Sequence, residues 1–152
     1  MNVFYLDHDQ SVCASYHNDR HCVKMILEYA QLLCTAHREI DGDDCRWQDI
    51  LYKSTHKNHP SAVWARESVA NYNWLYKMFS ELCKEYTFRY EKEHASWTKL
   101  GHLLSSPPIH IPVGEARRVQ NWPNITGKLQ TLLQYRKETF SKLEKPSSSG
   151  MV

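Results

Sequence analysis

Residues 17–37 read HNDRHCVKMILEYAQLLCTAH, and this stretch decides the fold because its polar residues fall on one narrow stripe of a helix. At about 100° per residue, the stripe is roughly 80° wide, and most of the remaining circumference is apolar. The members of the stripe are His17, His21, Lys24, Glu28, Gln31 and Thr35. An ordinary surface helix has a wide polar face and a narrower apolar one. The pattern therefore predicts a central helix over residues 20–37 whose polar side chains line a crevice.

Helical patterns recur on both sides of this stretch. Asp9 can cap a short helix that ends near residue 17, and Asp19 can cap the central helix. Pro60 suits the first turn of a third helix. Apolar residues with helical spacing continue over residues 64–90, and further helices are predicted over residues 95–104 and 125–143.

The composition fits one globular domain. The chain has 152 residues, of which 41% are hydrophobic and 12% aromatic, and this excludes a disordered chain. We expect a mainly α protein, a compact single-domain helical bundle over residues 1–145. The Ser-rich segment over residues 146–152 is predicted to be a disordered tail.

The cysteines and the beginning of the chain predict a cytoplasmic protein. The five cysteines are scattered and include no C-x-x-C pair, which indicates reduced thiols in a core. Asp7, His8 and Asp9 are unlike a signal peptide, and no apolar run approaches the roughly 20 residues of a membrane span. We therefore expect no membrane partner, and the sequence leaves the oligomeric state open.

Lys24 and Glu28 are the first candidates for chemistry. They stand one turn apart, in the order that stabilises a helix less. On a solvated face such a pair contributes only about 0.3–0.5 kcal/mol. Half-buried lysine and glutamate are costly unless they pair or have a function. The alignment of six polar residues favours a catalytic role over a simple surface pair.

A basic segment just before Pro60 predicts a surface that holds phosphates. A helix N-terminus and nearby cations both attract anions, and a nucleic-acid backbone is a natural ligand for them. The side chains proposed to hold phosphates are Lys53, His56, Lys57, His59, Arg66, Arg117 and Arg118. The alternative is a solvated loop in which Asn58 or Ser61 caps the helix.

A metal site is the weaker alternative. His17 and His21 are four residues apart, and His56 and His59 form an H-x-x-H pair. Two helix histidines and a third ligand can bind zinc, which would make the protein a metal-dependent hydrolase. No cysteine stands near them at zinc-finger spacing, and no H-E-x-x-H motif occurs. We therefore expect no metal and no other cofactor.

Three motifs resemble those of a set of uncharacterised phage and bacterial proteins. These proteins carry D-[KR]-H-x-V-K-M-x-L-E, then T-H-x-N-H-P-x-x-x-W-x-R-E-S, then E-Y-T-x-R-Y. The chain has DRHCVKMILE over residues 19–28, THKNHP followed by tryptophan and RES over residues 55–68, and EYTFRY over residues 85–90. The resemblance covers most of the chain up to about residue 94.

More distantly, the pattern is similar to the phage pyrimidine-dimer DNA glycosylases, which have a D-x-H on an early helix and a catalytic glutamate seven residues past the histidine. The resemblance places Glu28 in that role, after His21. In that family the nucleophile is the α-amine of a small second residue exposed by removal of methionine. Asn2 departs from this pattern, because methionine is poorly removed before asparagine. The nucleophile is then Lys24 as the replacement amine, the N-terminal amine of Met1, or water.

The resulting hypothesis is a DNA N-glycosylase, with or without AP-lyase activity, that acts on a damaged or modified base of duplex DNA. Glu28 would stabilise the sugar cation or activate the nucleophile. Lys24 would attack C1′ and form an imine if burial lowers its pKa, and His21 would orient Glu28 or move protons. The alternative is a non-enzymatic phage factor that binds a nucleotide or a protein in the same pocket. The sequence leaves open which base is removed, and whether the substrate is DNA, RNA or a free nucleotide.

Overall fold

Five α-helices and one short 3-10 helix form the part of the chain that this computed structural model describes, which is Val3 and residues 9–114. The helices are α1 (Gln10–Ser15), α2 (Asp19–Asp41), α3 (Pro60–Glu67), α4 (Val69–Tyr90) and α5 (Ala95–Leu104), and the 3-10 helix spans Gly42–Asp44. No strand occurs among these residues, so the predicted mainly α fold is confirmed. The helix predicted over residues 125–143 and the tail predicted over residues 146–152 lie outside the described residues.

The first two helices begin at side-chain caps. Oδ1 of Asp9 accepts hydrogen bonds from the backbone N–H groups of Ser11 (2.8 Å) and Val12 (3.2 Å), as predicted. The cap of α2 is Asn18, whose Oδ1 accepts from the backbone N–H of His21 at 2.9 Å. The prediction that Asp19 caps this helix was wrong. Asp19 is the first helical residue, where its negative charge still favours the helix N-terminus.

The helix predicted to end at His37 continues to Asp41. It ends at Gly42, whose φ of 53° lies in the region that favours glycine. Within the last turn, Arg38 donates from Nε to the carbonyl of Tyr52 at 2.8 Å. The buried carboxylate of Asp41 accepts from the backbone N–H of His110 at 2.9 Å. These bonds to two loops explain why the helix extends beyond its apolar pattern.

The helical pattern over residues 60–90 is divided at Ser68. This residue is extended (φ −154°, ψ 159°), and its Oγ accepts a hydrogen bond from the backbone N–H of Asn71 at 3.1 Å. Ser68 thereby ends α3 and caps α4. The continuous helical pattern predicted over residues 64–90 was wrong at this point, because apolar periodicity on either side does not reveal the change of direction.

α2 forms the centre of the helical packing, since it contacts α3, α4 and α5, while α1 packs against α4. Large side chains from α2, α3, α4 and α5 meet in one core. Its fully buried members include Ile26, Tyr29, Leu33, Trp64, Tyr72, Phe79, Leu82 and Leu100. None of the helices in the described part of the chain is both long and apolar enough to cross a membrane.

The five cysteines are buried and form no disulfide with one another, so their predicted place in the core is confirmed. Burial raises the pKa of Cys34 to about 12 and raises the pKa of Cys83 well above its ordinary value. These thiols therefore stay protonated and act as small apolar residues.

A buried histidine joins α2 to α4 and α5. The hydroxyl of Tyr72 donates to the carbonyl of Leu104 at 2.7 Å, so Nε2 of His37 donates to that hydroxyl at 2.9 Å. Nδ1 of His37 is buried without a hydrogen-bond partner among the described residues. Burial lowers the pKa of His37 from 6.5 to about 4, and this outweighs the attraction of Asp41 for the charged form.

Acid is therefore expected to destabilise the protein through His37. The unfolded chain binds the proton below about pH 6.5 and the folded chain only below about pH 4, so stability is complete above the first value and is lost between them. We expect His37 to contribute a loss of about 2–3 kcal/mol in the free energy of unfolding between pH 7 and about pH 4.5. Urea unfolding of the wild type and of His37→Gln at both pH values tests this. The pH-dependent loss should shrink in His37→Gln and persist in His102→Gln, which changes an exposed histidine of α5.

Candidate functional site

The polar stripe of α2 has two buried ends and an open middle. His17, just before α2, and Thr35 are buried. The half-buried or exposed members between them are His21, Lys24, Glu28 and Gln31. The ends are engaged in structural hydrogen bonds, which leaves the middle for chemistry.

His17 is a structural residue. Its Nδ1 lies 2.9 Å from the carbonyl oxygen of Cys13, which can only accept, so Nδ1 carries the proton. Its Nε2 then accepts from the hydroxyl of Tyr29 at 3.4 Å. Both ring nitrogens are engaged, and the side chain links the end of α1 to α2.

The metal alternative requires His17 to be a ligand together with His21, His56 and His59. The part of the chain that the structure describes contains no group of three or more His, Cys, Asp and Glu side chains placed to hold a metal ion. Both ring nitrogens of His17 are already engaged in hydrogen bonds, which further disfavours it as a metal ligand.

Glu28 is the residue of the stripe whose environment demands an explanation. It is half-buried, and within the described part of the chain its carboxylate accepts no hydrogen bond and pairs with no cation. In particular, no ion pair within 4.0 Å joins it to Lys24. Its oxygens are not among the buried polar atoms that lack a partner, so water reaches the carboxylate. A carboxylate that is open to solvent and is held by no internal hydrogen bond is available to contact a ligand.

Lys24 does not have the burial that was predicted for it. It is exposed, and so are its apolar neighbours Val23 (42%) and Leu27 (41%). In the N-terminal half of α2, the predicted crevice is therefore closed by protein on one side and open to solvent on the other. Periodicity places residues around a helix axis but does not say which directions the other helices cover.

His21 adjoins both groups. Its backbone N–H is held by Asn18, and its Nδ1 lies 3.5 Å from Nδ2 of the same asparagine. Partial burial, followed by the charge of Lys24, lowers the pKa of His21, while Glu28 opposes this shift. The imidazole is therefore neutral near pH 7 and can accept a proton beside Glu28.

The basic loop is fixed to the far end of the stripe. Thr35 Oγ1 accepts a hydrogen bond from the backbone N–H of Thr55 at 3.2 Å. Lys53, His56 and Lys57 are exposed around this anchor. Thr35 lies seven residues past Glu28 on the same stripe, about 10 Å along the helix axis. This separation matches about three base-pair steps of duplex DNA.

The start of α3 is capped by His59, and not by Asn58 or Ser61. Nδ1 of His59 accepts from the backbone N–H of Ser61 at 3.1 Å, so it is unprotonated, and burial lowers the pKa of His59. The helix N-terminus therefore has less capacity for an anion than predicted. Nε2 is left as the nitrogen that can donate to a phosphate.

Arg66 stands on the same shoulder of α3 as His59, nearly two turns further along. It is half-buried, and its Nη1 is buried without a hydrogen-bond partner among the described residues. Because this nitrogen is covered by the protein, it is not itself a contact for a docked phosphate, and Arg66 contributes its positive charge to this side of α3. Arg117 and Arg118, which were predicted to join this surface, lie outside the described residues.

Sequence reasoning missed Arg89, which connects two of the three motifs. Its Nη1 lies 3.1 Å from Asp19, and its Nε lies 2.8 Å from Glu85. Its Nη2 donates to the carbonyls of Ser15 (3.2 Å) and His17 (2.8 Å). Arg89 therefore holds the turn between α1 and α2, directly before the catalytic candidates. The presence of an arginine in E-Y-T-x-R-Y was visible, but its partners some 70 residues away were not.

The chain matches a known protein family over most of its described part. A sequence model of a family described as pyrimidine dimer DNA glycosylase matches residues 1–99, about two thirds of the 152-residue chain. No curated protein and no solved structure matches the chain significantly.

Proposed function

The chain belongs to the pyrimidine dimer DNA glycosylase family, and we therefore propose that it is a phage-type DNA N-glycosylase with AP-lyase activity that removes a base of a pyrimidine dimer. The observation that carries this proposal is the half-buried carboxylate of Glu28, which has no partner within the described residues. It stands at the open middle of the α2 stripe, where a DNA strand has access.

Glu28 acts on the sugar. Cleavage of the N-glycosidic bond places positive charge on the deoxyribose ring in the transition state, and a carboxylate beside the ring stabilises that charge. Because no cation among the described residues pairs with Glu28, its carboxylate is available to the sugar. The target nucleotide leaves the base stack in order to reach it.

Lys24 supplies the nucleophile. Its amine forms a bond to C1′ while the N-glycosidic bond breaks and its electron pair leaves with the base. Loss of a proton from the nitrogen and opening of the sugar ring then give an imine. Removal of a C2′ proton from this imine expels the 3′ phosphate, which is the lyase step. His21, neutral and adjacent, takes up protons during this sequence.

DNA docking supplies the desolvation that Lys24 lacks in the free protein. Lys24 is exposed and forms no ion pair among the described residues, so no internal contact must break before it reacts. A duplex lying over α2 would displace water from the amine. Desolvation favours the neutral, nucleophilic form of a lysine.

The phosphates of the DNA are held by the basic loop that Thr35 anchors through the backbone N–H of Thr55. This loop provides positive charge or donors for phosphates, from Lys53, His56, Lys57 and His59. Arg66, half-buried on α3, adds a further positive charge to this side of the protein. Arg117 and Arg118 belong to this proposed surface by sequence alone.

Borohydride trapping tests the nucleophile. Reduction of the imine on duplex DNA that contains a cyclobutane pyrimidine dimer should give a covalent protein–DNA adduct with the wild type. The adduct should fall at least about a hundredfold in Lys24→Ala, because no other amine replaces the nucleophile at C1′. Lys77→Ala, a change of an exposed lysine on α4, is the matched control and should trap like the wild type.

Three other results would each change the proposal. An adduct that persists in Lys24→Ala and maps to the first residues would assign the nucleophile to the N-terminal amine. Abasic sites without an adduct would assign it to water and remove the lyase step. Binding without any product would favour the non-enzymatic factor.

A further inference from the structure

The imidazole of His56 in the basic loop is held in place although the residue is exposed. Its φ of 48° lies in the left-handed region, which histidine enters more readily than most side chains. Its carbonyl accepts from the backbone N–H of His59 at 2.9 Å, and its Nδ1 lies 2.7 Å from Oγ1 of Thr55. Because the backbone of Thr55 is bonded to Thr35, the ring is tied to α2, the helix of the candidate site.

The bond between His56 and Thr55 is compatible with both charge states of the imidazole. A threonine hydroxyl can donate a hydrogen bond or accept one. It donates to Nδ1 of the neutral ring and accepts from Nδ1 of the charged ring, so protonation keeps this bond. Within the described part of the chain, Nε2 of His56 has no hydrogen-bond partner. The charged ring therefore presents an N–H group and a positive charge to a ligand at the surface.

His59, the second histidine of the loop, is not equivalent. Its Nδ1 accepts from the backbone N–H of Ser61 at 3.1 Å, and a protonated nitrogen cannot accept this bond. Burial lowers the pKa of His59, and a charge on His56 lowers it further. Protonation of His59 would remove the cap of α3, whereas protonation of His56 breaks no hydrogen bond. The geometry thus favours His56 as the ring of this loop that takes up a proton.

Positive charge predominates around the loop. The charged groups of the loop and of the helices that hold it are Lys53, Lys57 and His59 of the loop, Arg38 and Glu39 of α2, Arg66 and Glu67 of α3, and Lys99 of α5. The two acidic members already accept hydrogen bonds, Glu39 from Oγ of Ser54 at 3.0 Å and Glu67 from Nδ2 of Asn71 at 3.3 Å. A docked phosphate is therefore the group that would favour a charged imidazole in this loop.

We infer that His56, positioned by Thr55, is a proton-linked contact to a DNA phosphate, so that DNA binding at the loop takes up a proton at this ring. The inference rests on the proposed function, which places DNA phosphates at the loop. A ligand that favours the protonated ring is bound more tightly when the ring is protonated. The affinity for DNA therefore increases as the pH falls through the range in which histidines titrate.

Binding at two pH values tests the inference. The full chain carrying Glu28→Gln, which keeps the DNA intact, is titrated with dimer-containing duplex at about pH 6 and about pH 8, and fluorescence anisotropy gives the affinity. Adding His56→Asn removes the titrating ring, and asparagine also tolerates the left-handed conformation. At the lower pH it should weaken binding about tenfold and reduce the slope of log K against log salt by about 0.9. At the higher pH both changes should be small.

The contribution of Thr55 and the number of protons are measured separately. Thr55→Val removes the hydroxyl but keeps the backbone N–H that bonds to Thr35, so it should reduce the gain in affinity at the lower pH. Thr55→Ser should restore that gain. Calorimetry in two buffers of different ionisation enthalpy counts the protons taken up on binding, and this number should fall in His56→Asn. His102→Gln changes an exposed histidine of α5 outside the proposed surface and should change none of these quantities.

Equal losses of affinity at both pH values in His56→Asn would overturn the proton linkage and leave an ordinary contact. A pH dependence that persists in His56→Asn and disappears in His59→Asn would also overturn it, because the proton would then belong to the cap of α3. Excision by the wild type is measured in parallel. Normal excision with no effect of His56→Asn refutes this inference alone, whereas absence of both binding and excision refutes the proposed function and the inference with it.

Discussion

Glu28→Gln is expected to lower the rate of base excision from dimer-containing DNA by a factor of about 10² to 10³ or more. The change keeps the size and hydrogen-bonding ability of the side chain and removes its negative charge. In the transition state the sugar is cationic, and loss of one preorganised electrostatic contact of this kind has effects of that size. Single-turnover excision kinetics measures the chemical step without interference from product release.

The affinity for DNA should respond to Glu28→Gln differently from the rate of excision. The ground state of the DNA carries no positive charge at C1′, and loss of a carboxylate near phosphates removes a repulsion. The dissociation constant for dimer-containing duplex should therefore stay the same or fall slightly. Asp49→Asn is the matched control, since Asp49 is an exposed carboxylate outside α2 and outside the basic loop. Excision that survives Glu28→Gln within a few-fold would show that the carboxylate does not act on the sugar.

Two different parts of the site are tested by these experiments: trapping with Lys24→Ala tests the nucleophile, and Glu28→Gln tests the carboxylate. Glu28 can be essential whether the nucleophile is Lys24, the N-terminal amine or water, because each route passes through a cationic sugar. An active enzyme in which Lys24→Ala has no effect but Glu28→Gln is inactive would retain the glycosylase and reassign only the amine.

Local sequence patterns predicted the helices well where the cap and the helix are neighbours in the chain. α5 spans Ala95–Leu104 as expected, and Asp9 caps α1 as expected. The break at Ser68 was not predicted, because serine is tolerated within helices and the apolar spacing continues across it. The cap of α2 was displaced by one residue, from Asp19 to Asn18, since both side chains are good caps.

The sequence predicted where the residues of the candidate site lie around the axis of α2. It did not predict how buried each side chain is or what it contacts. The stripe placed Glu28 and His21 together, and both are half-buried. The same angles could not show that Thr35 anchors the basic loop or that Lys24 faces solvent. These properties depend on which other segments cover α2, and that is decided by contacts distant in sequence.

Arg89 is the clearest case of such a distant contact, and Arg89→Ala is expected to lower the free energy of unfolding by about 3 kcal/mol or more. The side chain is only 10% exposed and bonds to the carboxylates of Glu85 and Asp19 and to two carbonyls at the end of α1. Its removal leaves Glu85, itself 20% exposed, without a cation and the carbonyls of Ser15 and His17 without this donor. Removing one member of a buried charged network typically costs about 3–5 kcal/mol, and the exposure of Asp19 places the expectation at the lower end.

Urea unfolding followed by far-UV circular dichroism measures this loss, and two variants define its origin. Lys84→Ala removes the exposed pair between Lys84 and Glu81 at 3.2 Å and should cost no more than about 0.5 kcal/mol. Arg89→Lys keeps the charge but lacks the planar fork that reaches Asp19, Glu85 and both carbonyls at once, so its loss should be intermediate. If Arg89→Lys is as stable as the wild type, charge alone suffices and the carbonyl bonds contribute little. If Arg89→Ala is no worse than Lys84→Ala, the α1–α2 turn is held by the packing of His17 and the core, and Arg89 does not position the site.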